Sequence, residues 1–206
     1  MKKTIALVLA LLGWFAVIAQ YFLMIENRIA SVAETTIRFF SFFTILTNTI
    51  VAIYFTSLLI AENRRPKLID RPGTLTAITV YITVVCLIYQ IVLRHIWNPQ
   101  GLQMIVDELL HTIIPLLVII VWYLYEIKAE IQYRQIFAWL IYPLVYMIYI
   151  FARGYYSKFY PYPFTDVSKL GLSKVLINSA LLLFLFVGIS ALFVFVGKSI
   201  KNKNKN

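Results

Sequence analysis

The chain has 206 residues, of which 61% are hydrophobic, 16% aromatic and only 14% charged. Soluble domains are nearer ~45–50% apolar and ~25% charged, so this composition excludes an ordinary soluble enzyme, a disordered segment and a coiled coil. The formal net charge of +10 does not point to nucleic acid, because the basic residues stand in short clusters between apolar runs, as in the loops of membrane proteins. One cysteine, Cys86, and two histidines, His95 and His111, exclude a disulfide framework, a cysteine-ligated zinc and a multi-histidine centre, so no metal or other cofactor is expected.

A helix crosses a ~30 Å hydrocarbon core with about 20 apolar residues. Six stretches meet that requirement: Ile5–Ile25, Phe39–Ala61, Thr74–Leu93, Met104–Tyr125, Gln135–Ala152 and Val175–Gly197. Lys2 and Lys3 precede the first, and Val17-Ile18-Ala19 resembles a signal-peptidase site. A cleavable signal has an apolar core of only ~7–15 residues, whereas this run continues through Ile25, so it is read as a retained span. The breaks carry turn residues: ENRRPKLIDRPG at 62–73, NPQG at 98–101, and an aromatic, proline-rich stretch at 155–171. The expected fold is therefore all-α: a polytopic membrane protein with six transmembrane helices in one bundle. A single domain covers residues 1–200, and a basic flexible tail covers 201–206.

Six spans place both termini on one side of the bilayer. That side carries 12 of the Lys and Arg residues and the other 7, which by the positive-inside bias puts both termini in the cytoplasm. The outer stretch with Phe159, Tyr160, Pro161, Tyr162, Pro163 and Phe164 then reads either as an interfacial belt or as a lid over a site.

Polar side chains inside lipid are costly and usually face the bundle interior. Gln20, Asn48, Tyr89, Gln90, His111 and Asn178 all lie toward the non-cytoplasmic end, whereas Thr56, Ser57, Thr76, Thr79, Thr83 and Ser190, toward the cytoplasm, carry hydroxyls that their own helices can satisfy. A polar cavity is expected in the outer half. Thr44 stands six residues in from Arg38, ~9 Å of helix rise, and His111 seven residues in from Met104, ~10 Å, so their depths match. A threonine is a weak nucleophile until a base takes its proton, and a neutral imidazole suits that task. Thr47 and Thr49 offer the same chemistry as Thr44.

Pro115 lacks an N–H, so the helix bond to the carbonyl four residues earlier, that of His111, is expected to be lost. Asp107 and Glu108, one turn outward, are candidates to orient the imidazole. Asn48, with Gln90 and Tyr146, is a candidate to stabilise an oxyanion. Arg38, Arg94, Arg153 and His95 cluster at the outer rim, where the arginines either snorkel to lipid phosphates or meet a substrate carboxylate.

Three segments, FFTILTN (Phe42–Asn48), LLHTIIPLLVII (Leu109–Ile120) and YPYPFTDVSKLG (Tyr160–Gly171), together resemble the androgen-induced membrane-protein family. That family has multi-pass animal members, which are threonine hydrolases of fatty acid esters of hydroxy fatty acids, and shorter bacterial relatives. The resemblance implies a catalytic pair, carried here by Thr44, after two phenylalanines, and His111, before Thr112 and Pro115. It also implies a bacterial plasma membrane, and the placement of the polar residues puts the active site in its outer half. One departure is that the animal members carry no carboxylates where Asp107 and Glu108 stand.

The function expected is thus an intramembrane lipid-ester hydrolase whose substrate is a membrane lipid. An ester branching from the middle of an acyl chain would lie near the depth of Thr44, with its carboxylate at the rim. The alternative is a lipid-binding or transport protein that uses the same cavity without chemistry. No oligomeric state is legible.

Overall fold

The computed structural model describes residues 3–60, 64 and 66–203, the last three by their backbone alone. Lys2, the expected second-span end at Ala61 and the tail from 204 onward lie outside the described residues. All regular structure among the described residues is helical. Five helices are long and apolar enough to cross a membrane: Lys3–Glu26, Thr74–Leu93, Leu102–Tyr125, Tyr133–Ser157 and Leu172–Ile200. A sixth candidate is a pair, Val32–Phe39 and Phe43–Ser57, bent by 72° at its junction. Five or six such segments fit a multi-pass membrane protein. Where one domain was expected, the chain divides into two compact units, Met1–Ile131 and Gln132–Asn206.

The first unit contains α1 (Lys3–Glu26), α2 (Val32–Phe39), α3 (Phe43–Ser57), α4 (Lys67–Asp70), α5 (Thr74–Ile88) with a π-turn at Tyr89–Leu93, and α6 (Leu102–Glu108). A second π-turn at Leu109–Ile113 leads into α7 (Ile114–Tyr125). α5 is largely buried, packed between α3 and α7. α1 packs mainly on α3, and its buried residues Ala6, Leu9, Ala10, Gly13, Ala16 and Val17 form a helical stripe of mostly small residues that allows close approach. A Cβ on Gly13 would stand 3.0 Å from the Ala52 Cβ.

The second span differs from the expectation of one helix over Phe39–Ala61. α2 starts at Ser31, whose hydroxyl accepts from the Glu34 N–H at 3.3 Å, the cap of an S-x-x-E start. At its end the Ser41 hydroxyl donates back to the Ile37 carbonyl at 2.7 Å, a bond that favours bending. Phe42 is extended, with φ −83° and ψ 124°, and α3 begins after it. Fifteen residues of α3 span ~22 Å, short of the ~30 Å core, so this segment crosses only with the help of α2. The depth of Thr44 taken from continuous helix rise below Arg38 does not survive the bend.

The second unit comprises α8 (Ile136–Trp139), α9 (Ile141–Ser157), α10 (Val167–Leu170) and α11 (Leu172–Lys203). The backbone of the expected tail is helical as far as Lys203. Pro143, without a backbone donor, stands in the first turn of α9, where none is required. The stretch at 155–171 is folded onto these helices. The Tyr160 ring covers Gly154 so closely that no Cβ would fit. Tyr162 stacks on Phe164 with centroids 5.1 Å apart. The Asn178 amide donates to the Phe164 carbonyl at 2.9 Å. Asp166 caps α10 through the N–H groups of Ser168 and Lys169, and the Ser168 hydroxyl on its carboxylate holds its pKa below the usual value.

Candidate functional site

The arrangement around His111 begins with a change of helical register. At Leu109–Ile113 the helix widens to a π-turn, and the Ile114 N–H reaches the Leu109 carbonyl five residues back. In that register the next acceptor, the Leu110 carbonyl, falls opposite Pro115, which has no N–H. Asn48 of α3 supplies the missing donor: its Nδ2 lies 3.2 Å from the Leu110 carbonyl and 2.9 Å from the Thr44 carbonyl. The π-turn thus adds the Leu110 carbonyl to the His111 carbonyl, four residues before Pro115, as an acceptor that the proline leaves without its helical donor. Both hydrogens of Nδ2 are engaged, while the buried Oδ1 has no hydrogen-bond partner. Asn48 thus presents an acceptor rather than the oxyanion donor expected of it.

His111 is held from two sides. Its Nδ1 lies 2.9 Å from the Asp107 carbonyl and 3.3 Å from the Asp107 Oδ1. Its ring stacks on Tyr89, with centroids 4.1 Å apart and planes 16° from parallel. The Tyr89 hydroxyl donates to the other oxygen of Asp107. Of the two neutral tautomers, two acceptors at Nδ1 favour the one that carries its proton there, in which Nε2 is the acceptor. The imidazole and the carboxylate are nearly sealed from solvent, with 12% and 7% of their side-chain surfaces exposed.

Thr44 sits in the first turn of α3, where the helix dipole favours negative charge. The Asn48 bond sets Asn48 level with Leu110. Thr44 is one turn, ~6 Å, N-terminal of Asn48 along α3. Because helical side chains lean toward the N-terminus, the imidazole lies back over Asp107, ~4.5 Å N-terminal of Leu110 by the same rise. The bend that removed the first depth argument is thus replaced by a direct tie between the two backbones. The contacts of His111 itself run to Asp107 and Tyr89 rather than to Thr44.

Tyr89 opens a second π-turn, closed by the Arg94 N–H on the Tyr89 carbonyl at 2.8 Å. The two distorted turns face one another, and π-turns within α-helices concentrate at functional sites. The Gln90 Nε2 donates to the Thr112 hydroxyl at 2.8 Å, and its Oε1 accepts from Arg94 at 2.9 Å. Arg94 also pairs with Glu108; that hydrogen bond raises the arginine further above its ordinary pKa. Glu108 is therefore committed to Arg94, and of the two candidate carboxylates only Asp107 orients the imidazole. Arg38 pairs with Glu34 at 2.8 Å, one turn back on α2, and His95 is exposed beyond the end of α5.

Tyr146 and Arg153 lie on α9, in the second unit. Tyr146 is buried. Arg153 donates to the Ser157 hydroxyl at 3.3 Å and stacks over the Phe159 ring at 4.8 Å. Among the described residues no group of three His, Cys, Asp or Glu side chains is placed to hold a metal ion. Tyr89 and Thr112 were absent from the expected set of site residues. The available signal was a tyrosine beside Gln90 at the same end of its span as His111. Comparison of the chain with protein-family models, curated proteins and solved structures gives no match.

Proposed function

We propose that the protein is an intramembrane lipid-ester hydrolase in which Thr44 is the nucleophile and His111 the base. The observation that carries this reading is the Tyr89–Asp107–His111 chain, which commits Nδ1 and leaves Nε2 able to accept a proton. A nucleophile, a base and a carboxylate that orients the base form the recurring set for acyl transfer.

In the proposed reaction the Thr44 Oγ1 attacks the ester carbonyl carbon as its proton passes to the His111 Nε2. The positive end of α3 favours the oxyanion. The C–O bond of the ester breaks, the leaving alcohol takes the proton from Nε2, and an acyl-threonine remains. Water, deprotonated by the same nitrogen, then attacks the acyl carbon and releases a fatty acid, and the proton returns to Thr44. A setting among apolar, membrane-length helices favours a long-chain acyl ester. The resemblance of the three segments extends the proposal to esters of hydroxy fatty acids, and to a bacterial plasma membrane with both termini cytoplasmic and the site in the outer half.

A fluorophosphonate probe followed by peptide mass spectrometry tests the reading in the purified full chain. The expected mass shift falls on Thr44 and is absent from folded Thr44→Ala and His111→Ala proteins, which also lose ester turnover. Full turnover in both variants would overturn the assignment. Saturable lipid binding with neither adduct nor turnover would instead establish a lipid-binding protein.

A further inference from the structure

Asn48 is wholly buried, and its amide is pinned at both hydrogens. Nδ2 donates to the Thr44 carbonyl at 2.9 Å and to the Leu110 carbonyl at 3.2 Å. Turning the amide over would set its oxygen against two carbonyl oxygens, so these bonds themselves fix which end is the nitrogen. Oδ1, two covalent bonds from Nδ2, has no hydrogen-bond partner among the described residues. A buried acceptor left unpaired is costly, and native proteins keep few of them.

The two anchors are also the two reacting segments. One carbonyl is that of Thr44 itself, and the other precedes His111 by one residue. Oδ1 is therefore an acceptor held on the backbones that carry the proposed nucleophile and base. It calls for a partner with a hydrogen to give. The carbonyl and alkoxy oxygens of an ester have none, and the proton that passes from Thr44 to the leaving alcohol travels by the His111 Nε2. The remaining reactant is water, which has two hydrogens.

We infer that the Asn48 Oδ1 holds the water that hydrolyses the acyl-threonine. This rests on the hydrolase reading and gives its second half a positioning residue. One hydrogen of the water points to the His111 Nε2, the other is held by Oδ1, and a lone pair is thereby turned toward the acyl carbon. The bond from the water oxygen to that carbon forms as Nε2 takes the first proton. The bond from the acyl carbon to the Thr44 Oγ1 then breaks, Oγ1 recovers the proton from Nε2, and the second hydrogen leaves with the fatty acid. Acylation involves no water and asks nothing of Oδ1.

The test separates the two halves. Purified full-length protein in neutral-lipid nanodiscs is mixed with p-nitrophenyl palmitate, and released p-nitrophenol and the intact protein mass are followed together. In Asn48→Ala the first equivalent of p-nitrophenol is expected within about threefold of the wild-type rate, while steady turnover falls on the order of 10²-fold and palmitoyl-Thr44 accumulates. The double variant Asn48→Ala/Pro115→Ala returns a backbone N–H to the Leu110 carbonyl but no acceptor to the water. It is expected to regain thermal stability and keep the same kinetic split. A first equivalent slowed as much as turnover, or turnover restored in the double variant, would mean that Asn48 only ties α3 to the π-turn. Either result overturns the inference and leaves the hydrolase standing. Wild-type protein with neither turnover nor a Thr44 adduct overturns the hydrolase reading, and the inference with it.

Discussion

At one end of the first unit several polar side chains bond from helix to helix, beside others such as Ser41 that bond locally; at the other most of them bond back to their own helix. Asn48 reaches from α3 to the Leu110 carbonyl, Tyr89 from the end of α5 to Asp107, Gln90 to Thr112 and Gln103 to Gln20. Toward the opposite end Thr56, Ser57, Thr79 and Thr83 each donate to the carbonyl four residues earlier. The exceptions there are two indole bonds, Trp14 to Thr56 and Trp122 to Thr76, with Thr76 also donating to Glu126. The two ends differ in whether a polar group is satisfied locally or needs a particular neighbour. Local satisfaction holds a helix in lipid and requires nothing else of the sequence. Bonds across helices hold ionisable groups in fixed relative positions, as chemistry requires, and here they come with two π-turns.

The contrast is sharpest at the reacting groups. Thr44→Ala and His111→Ala are each expected to lower kcat/KM for a long-chain ester by at least ~10³-fold. The double variant is expected to be no worse than either single, because the two act as one unit. Steady-state turnover in detergent or nanodiscs measures both. Losses that multiplied would mean that the two residues contribute separately, and the proposed pair would dissolve.

The next effect concerns the tie between α3 and the π-turn. Asn48→Ala leaves the Leu110 carbonyl without its donor, at a cost of about 1–3 kcal/mol. Pro115→Ala returns a backbone N–H to that carbonyl. The double variant is therefore expected to lose less stability than Asn48→Ala alone, and a double-mutant cycle of thermal unfolding reads the coupling directly. Strict additivity would show that Asn48 does not stand in for the missing backbone donor.

Much of the first unit's architecture was legible from hydropathy. The limits of α1, of Thr74–Leu93 and of Leu102–Tyr125 lie within two residues of those read from the sequence, because long apolar runs bounded by Gly, Pro and charge leave little freedom. The concentration of ionisable groups at one end was legible for the same reason. The 72° bend between α2 and α3 was not: Phe39-Phe40-Ser41-Phe42-Phe43 contains neither glycine nor proline, and its apolar character continues unbroken. The π-turns have no residue signature either. Pro115 announces a lost bond at the His111 carbonyl, yet only the one-residue change of register brings in that of Leu110. The division of labour between Asp107 and Glu108 was equally hidden. Adjacent residues on a helix point ~100° apart, and the choice depends on where Arg94 of another helix lies.

Tyr89→Phe probes a single bond within the network. It removes the hydroxyl that holds Asp107 and keeps the ring on which His111 stacks. One hydrogen bond to a charged group is worth about 1.5–3 kcal/mol, but Asp107 retains its own approach to His111, so only part of that reaches the reaction. The expected loss is about three- to tenfold in kcat, with KM little changed. Tyr89→Leu, which also removes the stack, is expected to cost more. Equal activity in all three proteins would mean that the orientation of Asp107 does not depend on Tyr89.

The smallest effect belongs at the opposite end, in Thr83→Val. The exchange keeps the shape of the side chain and deletes a hydroxyl whose bond runs 2.6 Å to the Thr79 carbonyl of the same helix. That carbonyl stays within α5, where the backbone N–H of residue 83 is its regular helical partner, so losing the hydroxyl strands no acceptor. The hydroxyl also needs no water to satisfy it in the unfolded-in-membrane state, where the same local bond is open to it. Stability is expected to change by no more than about 0.5 kcal/mol, and ester turnover not at all. A large loss at Thr83 would mean that this hydroxyl serves a neighbour across the bundle, and the two ends of the unit would then follow one rule instead of two.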